Sequence, residues 1–200
     1  MIDGEHMPTY RDDDKAQRSR RMPTIDKPTA AERMIVSAIA MSDRGDDPLA
    51  IHVVASSALN LLRELIEKSG DDYIANVLKL GAFAAASAKI KGDPITLPTN
   101  AEMDALIDKV AGGIEAGEVK EASDLTINLT ADERRKLIGY IIRPFNFLKH
   151  AQHDPLATLD EGDFNPDGAI IHALTAFSMI CPGKPLPDAI TPFLAKHGLS

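Results

Sequence analysis

The chain of 200 residues has the length of a single domain and is long enough to bury a hydrophobic core. It contains no Trp and 4% aromatic residues, a composition that favours helices over sheets and argues against stacking platforms for single-stranded nucleic acid. Its formal charge of -8 means that contact with nucleic acid requires a local basic patch.

Residues 1–27 are highly charged and lack apolar periodicity, so we predict a disordered tail there and one all-α domain over residues 28–200. The domain is expected to be a bundle of six to eight helices. There is no run of eighteen apolar residues and no apolar leader, and Cys181 is the sole cysteine. We therefore expect a cytoplasmic protein without a membrane span.

Start signals mark the first three helices. Thr29 and Glu32 form a capping-box pattern, which predicts a helix to about Ser42. Asp47-Pro48 places an N-cap and a first-turn proline before a longer helix that ends near Gly70. A third helix, rich in small residues, is predicted from Asp72 to about residue 91 and should pack closely against a neighbour.

The second half of the chain shows the same signals. Two further capping-box patterns predict helices at about 100–112 and 130–142, and Asn165-Pro166 opens another. Pro144 disfavours helical geometry at Arg143, so we expect a kink or break there and a restart over 144–153. A last short helix is predicted over 187–197.

Asn146, His150 and His153 form the densest group of functional side chains, within about 60 degrees on a helical wheel. Two imidazoles and a carboxamide can supply a base, an acid and an orienting amide near neutral pH. We predict His150, Asn146 and Arg143 as catalytic residues, and His153 and Lys149 as binding residues. The alternative is that Arg143 caps helical carbonyls and Lys149 is a solvated charge.

Two further histidines are candidates to complete this site. His52 lies at the border of the apolar stripe of its helix, with Ser56 and Arg63, and is predicted to be half-buried and to bind a ligand. His172 is on the helix that follows Asn165-Pro166. Each of these histidines is also compatible with a purely structural role.

Two short motifs carry a resemblance to known proteins. Asp47-Pro48 with His52, and Asn146-Phe-Leu-Lys-His-Ala151 followed by Asp154-Pro155, resemble a family of small bacterial helical proteins with no assigned activity. The resemblance covers roughly residues 28–185 and implies the helical fold more than any chemistry.

Arg143 and His150, with six residues between them, also resemble the Arg-x4–6-His motif of HEPN domains, helical bundles that often form homodimers. The resemblance implies metal-independent cleavage of RNA, in which the His promotes attack by a 2'-hydroxyl and the Arg stabilises the developing charge. Other members bind nucleotides without cutting. This chain departs from the active pattern at Pro144, where active members often carry a polar residue.

His153-Asp154 resembles the dipeptide of HD-type metal phosphohydrolases, but Pro155 follows at once, whereas that dipeptide lies inside a helix. We therefore predict no metal site and no cofactor. Two functions remain open from the sequence: an RNA- or nucleotide-directed domain, with or without ribonuclease activity, and a non-catalytic homodimer or adaptor that docks a protein partner.

Overall fold

The computed structural model describes residues 24–94, 100–150, 152 and 155–198. Within these residues the chain is an all-α bundle of seven α-helices with no strand, as predicted. The helices are α1 (Lys27–Arg44), α2 (Pro48–Lys68), α3 (Tyr73–Lys91), α4 (Ala101–Glu115), α5 (Ala131–Lys149), α6 (Pro166–Ile180) and α7 (Ile190–Lys196), with short 3-10 turns at Ala122–Asp124 and Glu161–Asp163. Residues 1–23 of the predicted tail lie outside the described part.

Local capping explains most helix starts. Asp47 accepts hydrogen bonds from the amides of Leu49 and Ala50 at the start of α2, and Thr130 and Glu133 form the predicted capping box of α5. The box predicted at Thr29 was wrong. Asp26 caps α1 instead, accepting from the Thr29 amide, so α1 begins at Lys27.

The main core lies between α1, α2, α6 and α7, with the first turn of α3. Helix α2 packs against both α1 and α6. The largest fully buried side chains of this core include Ile35, Ile39, Leu59, Leu62, Tyr73, Ile170, Phe177 and Ile190. Helix α2 is long and apolar enough to cross a membrane by length and composition, a test that the core helices of soluble proteins also pass.

A second, smaller core holds α4 against the far half of α3. The small residues Ala82, Ala85 and Ala86 are buried against Ile107 and Val110 of α4, which is the close packing expected for the alanine-rich stretch. Gly92 ends α3 with a φ of 76°, a left-handed conformation that glycine adopts readily. The α3–α4 hairpin thus extends from the main bundle with its own apolar contacts.

Of the kink or break predicted at Pro144, the break and the helix restart were wrong, because α5 continues through Pro144 to Lys149. Proline removes one hydrogen bond, the one to the carbonyl of Tyr140, and this loss is offset by burial: Pro144 and Phe145 are the buried residues of α5. Continuity has a geometric consequence. Arg143 and His150, seven residues apart, lie about 20 degrees apart around the helix, so they share one face of α5.

Candidate functional site

A cavity of about 320 Å³ lies between α2, α5, α6 and the turn before α6, and we call it the central cavity. Helix α2 supplies residues 52, 56 and 59, which share one face because they are spaced four and three residues apart. The polar residues around the cavity are His52, Ser56, Tyr140, Arg143, Asp163, Asn165 and His172. The cavity therefore brings together three residues that the sequence singled out, His52, Arg143 and His172.

His52 is more deeply placed than predicted, with only 3% of its surface exposed. Neither of its ring nitrogens has a hydrogen-bond partner among the described residues. Burial lowers the pKa of His52 below its usual 6.5. The backbone of Asn165 acts to raise the pKa, through a contact that falls short of hydrogen-bond geometry. Phe164 meets the imidazole edge-on, with ring centroids 5.6 Å apart. His52 is thus a neutral ring with an unsatisfied donor and acceptor at the cavity wall.

His172 is held from behind by Tyr73. The Tyr73 hydroxyl lies 2.9 Å from Nδ1 of His172 and 3.3 Å from its carbonyl oxygen. Burial lowers the pKa of His172 and raises the pKa of Tyr73, so both groups are neutral near pH 7. The arrangement that uses both contacts has the hydroxyl donating to the carbonyl and accepting from Nδ1–H, which leaves the Nε2 lone pair free to accept a proton.

Arg143 differs from the arginines that form ion pairs with carboxylates. Arg63 pairs with Glu67, and Arg134 pairs with Asp72 at 2.6 Å. The exposed Arg143 side chain makes no ion pair or hydrogen bond with any residue that the structure describes, although it lines the cavity. An unpaired guanidinium at a cavity mouth is a site for an anion.

The other predicted residues that the structure describes, Asn146, Lys149 and His150, are not part of the cavity lining. Asn146 is exposed, and its carbonyl accepts the backbone amide of His150, which is the C-cap of α5. The ammonium of Lys149 lies 5.6 Å from the ring centre of Phe145, a cation–π contact at the surface. His153 lies outside the described residues, so the predicted face of Asn146, His150 and His153 is present here only in its first two members.

Sequence reasoning missed Tyr73, Tyr140 and Phe164. Tyr73 follows an N-cap aspartate and gave no pattern that linked it to His172, 99 positions later. Tyr140 carried a weak signal, since it lies three residues before Arg143 and so is its neighbour on the helix. Phe164 precedes the Asn165 cap in an irregular segment without periodicity.

A second depression, the Asp72 groove, is larger at about 530 Å³ and lies between α2, α3 and α5. Its charged residues are Glu67, Asp71, Asp72, Arg134 and Arg135. Arg134 donates a hydrogen bond to Asp72 from Nε at 2.7 Å, and a terminal nitrogen of its guanidinium lies 2.6 Å from the same carboxylate oxygen, so these two charges are paired.

Among the described residues there is no group of three or more His, Cys, Asp or Glu side chains arranged to hold a metal ion. No family model, no curated protein and no solved structure matches this chain.

Proposed function

We propose that this protein binds RNA or a nucleotide at the central cavity and cleaves RNA without a metal ion. The observation that carries the proposal is that Arg143, His52 and His172 line one cavity. This keeps the activity implied by the resemblance to HEPN domains, but it moves the acid–base role from His150 to His172.

Arg143 is the phosphate ligand in this proposal. Its guanidinium has no carboxylate partner among the described residues, and planar N–H donors match the non-bridging oxygens of a phosphodiester. The same donors stabilise the extra negative charge that develops on those oxygens in the transition state.

His172 is the general base. With Nδ1 held by Tyr73, its Nε2 accepts the proton of a ribose 2'-hydroxyl as that oxygen attacks the adjacent phosphorus. The bond from phosphorus to the 5' oxygen breaks, and the departing oxygen takes a proton from solvent water. The products are a 2',3'-cyclic phosphate and a free 5'-hydroxyl.

His52 is a binding residue rather than an acid or base. It is almost fully buried, and burial keeps its imidazole neutral. The ring has a donor and an acceptor that the described protein leaves unsatisfied, and polar groups of a bound nucleotide would satisfy them. A cavity of about 320 Å³ is at the small end of the range for small-molecule sites, as expected for one nucleotide unit.

The test is cleavage of an end-labelled RNA oligonucleotide in the presence of a chelator. We expect cyclic-phosphate products from the wild-type protein and a rate lower by a factor of about 10² to 10⁴ in Arg143→Ala and His172→Gln. Arg135→Ala is the matched control, because Arg135 is an exposed arginine of the same helix outside the central cavity. Circular dichroism checks that each variant folds.

His150→Ala separates the two assignments of the base. Unchanged cleavage in this variant supports His172, whereas loss of cleavage with normal folding returns the role to His150. Intact RNA with the wild-type protein, together with a stable complex in a pull-down, would support the protein-docking alternative instead.

A further inference from the structure

One face of α5 alternates cations with aromatic rings. Lys136, Tyr140, Arg143 and Phe147 are spaced four, three and four residues apart, so they lie within about 60 degrees around the helix and span roughly 16 Å along it. All four are exposed, and Tyr140 leaves 83% of its surface in solvent. We call these four residues the α5 stripe.

Helix α5 is also a basic element in an acidic protein. It carries five cations against two carboxylates, a formal charge of +3, while the whole chain has -8. Both carboxylates are engaged in the first turn: Glu133 in the capping box and Asp132 in an ion pair with Arg135. Arg134 and Arg135 are themselves in ion pairs, with Asp72 and Asp132. The local positive charge that nucleic-acid binding requires of such a chain therefore comes from Lys136 and Arg143 of the stripe.

The stripe runs past the central cavity. Tyr140 and Arg143 also line the cavity, and the ring of Phe147 lies 6.5 Å from that of Phe164, which in turn contacts His52. A chain lying on the stripe would therefore pass the cavity mouth. The low aromatic content argued against a stacking surface, but two of the nine aromatic residues are concentrated here.

We propose that the α5 stripe binds a single-stranded polynucleotide, with bases stacked on Tyr140 and Phe147 and phosphates held by Lys136 and Arg143. Stacking on an exposed aromatic ring requires a base whose face is free. The bases of a single strand have such free faces, whereas the bases along a duplex are stacked on one another. The proposal rests on the proposed function and names its substrate class: a single strand rather than a duplex or a free mononucleotide.

The experiment measures binding of a fluorescent twelve-nucleotide DNA strand by anisotropy. DNA lacks the 2'-hydroxyl, so binding is measured without cleavage. We expect Tyr140→Ala to weaken binding about five- to one-hundred-fold, and Lys136→Ala to reduce the slope of log K against log salt by about 1. Leu148→Ala is the matched control, since Leu148 is an exposed residue of another face of α5.

A duplex of the same length should bind at least tenfold more weakly than the single strand. Equal affinity for the two forms, no binding of the single strand, or unchanged affinity in Tyr140→Ala would overturn the proposal. The two proposals fail separately: a wild-type protein that binds the DNA strand but leaves RNA intact would keep the stripe and remove the proposed cleavage. If Tyr140→Ala cleaves RNA as fast as the wild-type protein, the proposed function would stand and the role of the α5 stripe would be contradicted.

Discussion

The Asp72 groove and the central cavity differ in how their polar groups are satisfied. The Asp72 groove is the larger, yet its central charges are paired, since Arg134 donates a hydrogen bond to Asp72 and forms an ion pair with it. The central cavity is smaller, but it contains a buried imidazole and a guanidinium that find no polar partner among the described residues. Volume alone would favour the groove. Because unsatisfied buried groups are rare, they are the better indication of a ligand site.

Replacing His52 with leucine should give the largest change in stability and test this contrast directly. The variant removes two unsatisfied ring nitrogens and keeps an apolar side chain of similar size, so we expect the free energy of unfolding to rise by about 1 to 3 kcal/mol. Nucleotide binding should fall at the same time. Chemical denaturation measures the first effect and calorimetric titration the second. A loss of stability would mean that the imidazole already has hydrogen-bond partners, and the cavity would then not differ from the groove in this respect.

The pH dependence of the unfolding free energy is a second test of whether His52 is buried without a partner. The pKa of His52 is below 6.5 in the folded state because of burial, so the unfolded chain binds more protons near pH 6. The stability of the wild-type protein should therefore fall as the pH is lowered through 6.5 towards the folded-state pKa. The difference in unfolding free energy between His52→Leu and the wild-type protein should grow over the same interval. The part of the pH dependence that comes from His172, whose pKa is also lowered, should remain in the variant.

Tyr73→Phe examines the support behind the cavity and should have a smaller effect. It removes the hydroxyl next to Nδ1 of His172, with an expected loss of about 1 kcal/mol in unfolding free energy. Because the tautomer of His172 is then no longer fixed, the rate of RNA cleavage should fall and its pH profile should shift. Tyr140→Phe is the matched control for stability, since that hydroxyl is in solvent. An unchanged pH profile in Tyr73→Phe would show that Tyr73 only fills space.

The smallest effect is expected in the Asp72 groove. Arg134 and Asp72 are 47% and 27% exposed, so solvent screens their attraction. A double-mutant cycle with Arg134→Ala and Asp72→Asn should give a coupling energy of about 0 to 1 kcal/mol and leave nucleotide binding unchanged. A change in nucleotide binding would transfer the site from the cavity to the groove.

The sequence predicted the helices better than the site because capping is local. Asp47, Asp72 and Thr130 sit directly beside the amides they bond, so their patterns can be read within a few residues. Pro144 was misjudged because its cost is offset by burial that depends on the rest of the bundle.

The central cavity depends on tertiary packing to a greater degree. His52 and His172 were both noticed, but only the packing of α2 against α6 places them at one cavity with Arg143. His150 drew attention because its neighbours in sequence are polar, whereas the cavity draws its polar groups from three helices. The contact between Tyr73 and His172 joins residues 99 positions apart, which no local pattern reveals.

The separate core of the α3–α4 hairpin has a consequence for how the protein opens. Helix α4 packs mainly against α3, through alanines and a few aliphatic side chains that are not shared with the main core. Such a unit can unfold locally at a lower free energy than the whole domain. Helix α4 and the far half of α3 can therefore open and close as a cooperative segment. Tyr73, at the start of α3, belongs to the main core and stays in place behind His172.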